Sequence, residues 1–272
     1  MRVFILGNGK VGRGLGRALR KAGWSVEVRA ARAGVPTKRI TSDLLILAVR
    51  ESELARVCEA LVAGGLVGRQ TACVHVSGAL GPDALELLRG VSAGVAQMHP
   101  MISFADPEVP PSLARGNLRV SGDPVAVRRA RAVARALGMT ARTLPDLDRV
   151  GYHAAAGLVA NGAAALAAMG AALLVRSGVS EAEAPHLLGP LLRSVADNVE
   201  ALGFPAALTG PVRRGDAAAV SKHRALIQAR LPEAVDLFVA AARAQLPLAR
   251  ALPDASPEAL DAVERVLAEP AT

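Results

Sequence analysis

The chain predicts an α/β fold: a doubly wound parallel sheet in its first half, followed by an all-α domain. Three observations carry this prediction. Short Val-, Ile- and Leu-rich runs alternate with helical runs of about 10–15 residues over the first half. From about Asp148 onward the strand signals cease and the apolar periodicity becomes helical. The 272 residues, 51% of them hydrophobic, suit one large domain or two modest ones and exclude disorder over most of the chain. The expected division is a sheet domain over 1–147 and a helical domain over 148–272.

Element by element, Arg2–Leu6, Ser25–Arg29, Leu44–Val49, Ala72–Val76, Gly94–Gln97 and Leu118–Ser121 read as strands. Val11–Ala22, Glu51–Ala63, Pro82–Leu88 and Pro124–Leu137 read as helices between them. The last of these is punctuated by Asp123 as N-cap, Pro124 in the first turn and Gly138 past the end. Beyond Asp148, breaks fall at Gly178, Pro185, Gly203-Phe204-Pro205, Thr209-Gly210-Pro211, Pro232, Pro247 and Pro253. Ser256-Pro257-Glu258 opens a final capped helix.

Composition removes several function classes. Cys58 and Cys73 are too few for a disulfide scaffold or a four-thiolate metal site, so no metal is expected and both read as reduced thiols of a cytoplasmic protein. The net charge of +8 comes from arginines scattered among alanines, without a basic cluster interleaved with aromatics, so no nucleic-acid partner is expected. Met1–Leu6 is too short an apolar run for a secretory signal. Residues 154–175 hold no charge and are long enough to span a bilayer, but they are mostly Ala and Gly with Asn161 inside. That composition suits a buried helix packed closely on all sides rather than a membrane span. It also needs more partners than a domain of about 120 residues supplies, so a homodimer is expected.

The run Gly7-Asn8-Gly9-Lys10-Val11-Gly12 follows one strand, opens a helix and precedes a second strand, the context required of a Rossmann-type pyrophosphate cradle. The first glycine permits the turn, the second lets backbone approach the phosphates, and the third allows close helix–strand packing. Folds that bind NAD place an acid at the end of the second strand for the ribose 2′-hydroxyl. Here Glu27 stands mid-strand, and Arg29, Ala30, Ala31 and Arg32 occupy the end. Guanidiniums in place of a carboxylate suit a 2′-phosphate, so NADP(H) is the expected cofactor. The third strand ends at Ala48 and Val49, where the pyrophosphate and nicotinamide half would pass.

Ligands of open α/β sheets bind beyond the carboxyl ends of the strands, which points to Ser77 and His99, with His75 mid-strand and structural. His153 and Asn161, eight residues apart, share roughly one helix face and could protonate and orient a carbonyl or imine. The polar loop 209–216 offers Thr209 and Arg214 for a carboxylate, with Asp216 beside them. These groups are expected to converge on one cleft that faces the nicotinamide.

Together the cradle, the Val-x-Val-Ser-Gly-Ala segment at 74–79, His99-Pro100-Met101-x-Ser103-Phe104, Tyr152-His153-Ala154-Ala155 and Leu208-Thr209-Gly210-Pro211-x-x-Arg214-Gly215-Asp216 resemble one group. It comprises bacterial Rossmann-like proteins with a helical C-terminal domain of unknown function. They are similar to the 6-phosphogluconate dehydrogenase-like superfamily, which includes pyrroline-5-carboxylate reductase, ketopantoate reductase and prephenate dehydrogenase. The resemblance implies an NADP-linked reductase of a small carbonyl or imine acid, a ketopantoate-type 2-oxo acid among them, and a homodimer built through the helical domain. The superfamily's hydroxyacid dehydrogenases carry Lys and Asn four apart on the first interdomain helix, whereas Gly157 stands four before Asn161 here. The proton donor is therefore open among His153, His99 and Lys222. A dinucleotide-binding protein without catalysis is the alternative.

Overall fold

Seven strands form one sheet: β1 (Arg2–Leu6), β2 (Ser25–Arg29), β3 (Leu44–Leu47), β4 (Ala72–His75), β5 (Val95–Met101), β6 (Asn117–Gly122) and β7 (Thr140–Arg142). The structure is a computed structural model that describes residues 1–109 and 111–269. Around the sheet run α1 (Lys10–Lys21), α2 (Glu51–Ala63), the single turn α3 (Glu86–Arg89) and α4 (Pro124–Ala136). There follow α5 (Arg149–Arg176), α6 (Ala184–Leu202), α7 (Ala217–Arg230), α8 (Val235–Arg250) and α9 (Pro257–Ala268).

The strand order is β2-β1-β3-β4-β5-β6-β7, parallel throughout except between β5 and β6. The chain therefore reverses direction of winding at β1/β3, the switch point where open α/β sheets bind ligands. The four apolar residues of β3 show the double cover. Leu44 and Ile46 pack into one hydrophobic cluster, while Leu45 and Leu47 pack into the other, on the opposite face.

Several expectations are corrected. The sheet is mixed, because the connection between β5 and β6 holds no helix among its described residues, and without a crossover β6 returns antiparallel. Strand β5 runs on to Met101, four residues past Gln97, since β6 pairs with its far end. The short strand β7 carries no apolar alternation and was not foreseen. Pro82–Leu88 is a 3-10 turn over Pro82–Leu85 followed by α3. Asp123 stands at the N-cap of α4 but does not cap it; its carboxylate accepts from Arg89 and from the Val95 amide.

The chain divides into two compact units, Met1–Gly157 and Leu158–Thr272, and the division falls inside α5. In the second unit Val212, Val220, Leu246, Leu260 and Val263 make one core, and Ile227, Leu231 and Val235 a smaller one against Met169, Ala172 and Leu173. The uncharged segment 154–175 is not the buried helix expected: no residue of α5 is buried. The second unit packs Met169, Ala172 and Leu173 of α5 against its smaller core and leaves Leu158, Val159 and Leu166 exposed.

Candidate functional site

The cradle is built at the ends of β1 and β3. The Gly7 amide donates to Arg29 O (2.8 Å) and the Ala48 amide to Leu6 O (2.8 Å), so the carboxyl ends of β2, β1 and β3 are tied together. Gly7 has φ +123°, and a Cβ there would lie 2.2 Å from Ala48 O. A Cβ on Gly12 would lie 1.9 Å from Gly7 O. Both positions exclude any side chain. Gly9, at the N-cap of α1, is different: a Cβ there would meet nothing within 4 Å. The glycine leaves open space in front of a helix N-terminus whose first turn carries no acid, which fits a pyrophosphate. Asn8 and Lys10 are exposed, and Val11, Ala48 and Val49 half-buried around the same turn.

The two arginines expected at a 2′-phosphate are not equivalent. Arg29 donates to Gly34 O (3.0 Å) and Ala33 O (2.9 Å), fixing the turn after β2. Arg32 is exposed. A recess of about 270 Å³ lies beside Asn8, lined by Arg13, Arg17, Arg20 and Val28. Glu108 pairs with both Arg13 and Arg17.

At the ends of β4 and β5 lies a polar cluster within the same unit. His75, the last residue of β4 rather than mid-strand, is buried; its Nε2 bonds Gly81 O (2.8 Å) and its Nδ1 accepts from the Ser77 amide (3.2 Å). Gln97 donates to Ser77 O (2.7 Å) and Gly78 O (3.3 Å). The Ser77 hydroxyl accepts from the Leu80 amide (3.1 Å) and bonds the Glu51 carboxylate at the start of α2. The turn after β4 is thus held from both sides and joined to the end of β3.

Two imidazoles rest on that turn. A Cβ on Gly78 would lie 2.6 Å from His153 Nδ1 and 2.9 Å from His99 Nε2, so only glycine admits both rings. His99 Nδ1 lies 3.1 Å from the Tyr152 hydroxyl, and the two rings meet edge to face with centroids 5.6 Å apart. His153, exposed, faces His99 at 6.2 Å between centroids. Burial, then the His153, Arg119 and His75 charges, pull the His99 imidazole down to about 4, so it is neutral at ordinary pH. Burial raises the Tyr152 phenol above its usual value.

Of the residues singled out from sequence, Ser77, His99 and His153 come together here. Asn161, Thr209, Arg214 and Asp216 belong to the second unit. There Asn161, Thr209 and Arg214 are exposed, and Asp216 is the N-cap of α7, accepting from the Ala219 amide at 2.9 Å. Lys222 is exposed on α7. Arg119, Gln97, Glu51 and the role of Tyr152 escaped sequence reasoning. The available signal was a lone Arg and a lone Gln at apolar strand centres, where each needs a partner.

Residues 118–245 match the family model of a domain of unknown function, DUF2520. A comparison with curated proteins returns no match. Among solved structures, the chain is similar to a proposed NADP oxidoreductase from Bacteroides fragilis, with 19% identity, TM-score 0.69, and 90% of this chain and 97% of that one covered. It is similar to a Plasmodium falciparum pyrroline carboxylate reductase with NADP bound, with 13% identity, TM-score 0.59, and 90% and 98% covered. A Myxococcus stipitatus imine reductase in complex with NADP+ has 16% identity and TM-score 0.56, with 98% and 100% covered. At these identities the likeness is one of fold, a Rossmann-type sheet followed by helices, and it extends over nearly the whole chain.

Proposed function

We propose that the chain is an NADP(H)-dependent oxidoreductase that reduces the C=O or C=N bond of a small carboxylic-acid metabolite. The observation that carries this reading is the placement, in one unit, of the glycine cradle at the ends of β1 and β3 and the His99–Tyr152–His153 cluster at the ends of β4 and β5. Solved structures of similar fold described as an NADP oxidoreductase, a pyrroline carboxylate reductase and an imine reductase support it.

In this reading the amides at the start of α1 and the gap at Gly9 hold the pyrophosphate, and Arg32 with Arg29 the 2′-phosphate. Bound, the dinucleotide supplies a hydride. Ser77, fixed by Glu51 and Leu80, and the imidazoles over Gly78 hold the substrate heteroatom and manage its proton. The test is NADPH oxidation across a panel of 2-oxo acids, ketopantoate-type acids included, and cyclic imino acids. Turnover on a member of the panel supports the reading. Tight NADPH binding without turnover favours a non-catalytic dinucleotide-binding protein.

We propose also that two copies associate through α5 and α6. Leu158 is 77% exposed and Val159 71%, and on α6 Leu191 and Val195 are at least half exposed. No charge interrupts α5 between Arg149 and Arg176, and a 28-residue helix is roughly 42 Å long. Its Ala and Gly residues let a second helix approach closely, and an uncharged surface of that length selects an equally apolar one. Light scattering at micromolar concentration should give twice the monomer mass. A monomer mass, or recovery only in detergent or lipid, overturns it.

A further inference from the structure

We propose that Tyr152 is the proton reservoir of this site, that His99 passes the proton on as a neutral imidazole, and that Arg119 is the positioning residue for both. The inference rests on the reductase reading above and adds the direction in which its proton travels.

Arg119, on β6, is only 4% exposed. Its guanidinium lies 5.6 Å from the centroid of the Tyr152 ring, and one end donates to Gln97 Oε1. Its Nε has no hydrogen-bond partner, and among the described residues no carboxylate pairs with it. A buried cation without an anion is costly to keep. Its two neighbours explain its place. Through Gln97 it fixes the Ser77–Gly78 turn on which the imidazoles rest. Through the ring face it stands ready for the one neighbour that can become an anion, the Tyr152 phenol.

The contact between Tyr152 and His99 sets the path. The hydroxyl meets His99 Nδ1, while His99 Nε2 lies against the turn after β4, on the carboxyl side of the sheet. When the phenol donates to Nδ1, the imidazole carries its own hydrogen on Nε2. Where a bound NADPH would supply hydride to the substrate carbon, the heteroatom would take the hydrogen from Nε2 and Nδ1 would take the one from Tyr152. One N–H and one O–H bond break, one N–H and one heteroatom–H bond form, and the phenolate left behind faces Arg119. The imidazole is neutral before and after. A solvent proton entering at Nε2 reverses the shift and restores the phenol. A neutral relay agrees with the burial and surrounding positive charge that keep His99 unprotonated. The other charged or titratable groups facing the pair are His75 on β4, Glu51 on α2, and Arg149 and His153 on α5.

Tyr152 is the chain's only tyrosine, so phenolate absorbance titrates it alone in the full-length protein. Arg119→Gln should move that titration to higher pH, because the nearby cation favours the phenolate, and Arg119→Lys should move it back. Nitrogen-15 spectra of histidine-labelled protein, with His99 assigned through His99→Gln, should show His99 carrying its hydrogen on Nε2 at neutral pH. With NADPH and a substrate from the panel, Tyr152→Phe should lower kcat about 100-fold or more and leave NADPH binding unchanged. A hydrogen on His99 Nδ1, an unmoved titration in Arg119→Gln, or full kcat in Tyr152→Phe overturns the proposal. If the titration and tautomer are as stated but no carbonyl or imine is reduced, the proton path stands and the reductase reading alone fails.

Discussion

Strand β3 and helix α5 are both apolar and free of charge in their interiors, yet they meet opposite fates. The four residues of β3 are at most 1% exposed, whereas no residue of the 28 in α5 is buried. Hydropathy says that a segment is better off out of water; it does not say what will cover it. For β3 the cover is written nearby, in the crossover helices on either face of the sheet. For α5 the chain provides one stripe, through Ile227, Leu231 and Val235. On the dimer reading proposed above, the uncovered apolar helix records a missing partner rather than a weak core.

The sharpest way to break this comparison is to shorten one side chain on each side of it. Ile46→Ala, in β3, should lower unfolding free energy by about 2–5 kcal/mol in urea, since it removes apolar contacts from a fully buried position and leaves a cavity there. Leu158→Ala should change it by no more than about 0.5 kcal/mol under conditions where the protein is monomeric. Equal losses at the two positions would mean that α5 is covered in solution by its own chain.

Polar groups divide in the same way. The covered imidazole of His99 is held near pKa 4, below the ordinary histidine value, so the unfolded chain binds its proton first as pH falls. Its contribution to stability is complete above about pH 6.5 and declines as pH drops toward 4, by up to about 3 kcal/mol. Acid unfolding of His99→Gln should be correspondingly flatter across that interval. Next in size, Leu158→Asp with Leu191→Asp should halve the mass seen by light scattering while the far-ultraviolet spectrum is kept, as two charges cannot be buried between apolar helices. The smallest effect belongs to an uncovered cation. Arg32→Ala should cost about tenfold in preference for NADPH over NADH, read by fluorescence titration, while NADH binding stays the same.

What could be read from the residues alone follows physical range. The cradle was legible because its three glycines stand within six residues, between a strand and the helix they open, although the backbone that excludes a side chain at Gly7 is that of the distant Ala48. The alternation of strands and helices was legible for the same reason. The antiparallel turn of β6 was not, because it depends on a connection that lacks a helix, and irregular segments carry no period. Gly78 looked like any turn glycine; its reason is two imidazoles that arrive from residues 99 and 153. Arg119 read as one more arginine in an arginine-rich chain, and only the sheet shows that it sits between two buried valine and leucine neighbours with its charge turned toward a tyrosine. Ser77 and His99 were named from their positions at strand ends and His153 from the helix face it shares with Asn161, whereas Gln97 and Arg119, which hold the turn and the rings, were hidden because they act across strands.

The three cradle glycines, alike in the sequence, differ as targets of mutation. At Gly7 and Gly12 any side chain strikes backbone, so a substitution there disturbs the fold itself and teaches little about the proposed cofactor. Gly9 has an ordinary extended backbone and open space beyond it, so alanine costs the fold little and stands where the proposed pyrophosphate would pass. On the NADP(H) reading proposed above, Gly9→Ala is thus a separation-of-function allele: a protein with its architecture and its abundance intact, deprived of its dinucleotide. In a cell, such an allele would separate, on that reading, what this chain does through a bound dinucleotide from what it does merely by being present.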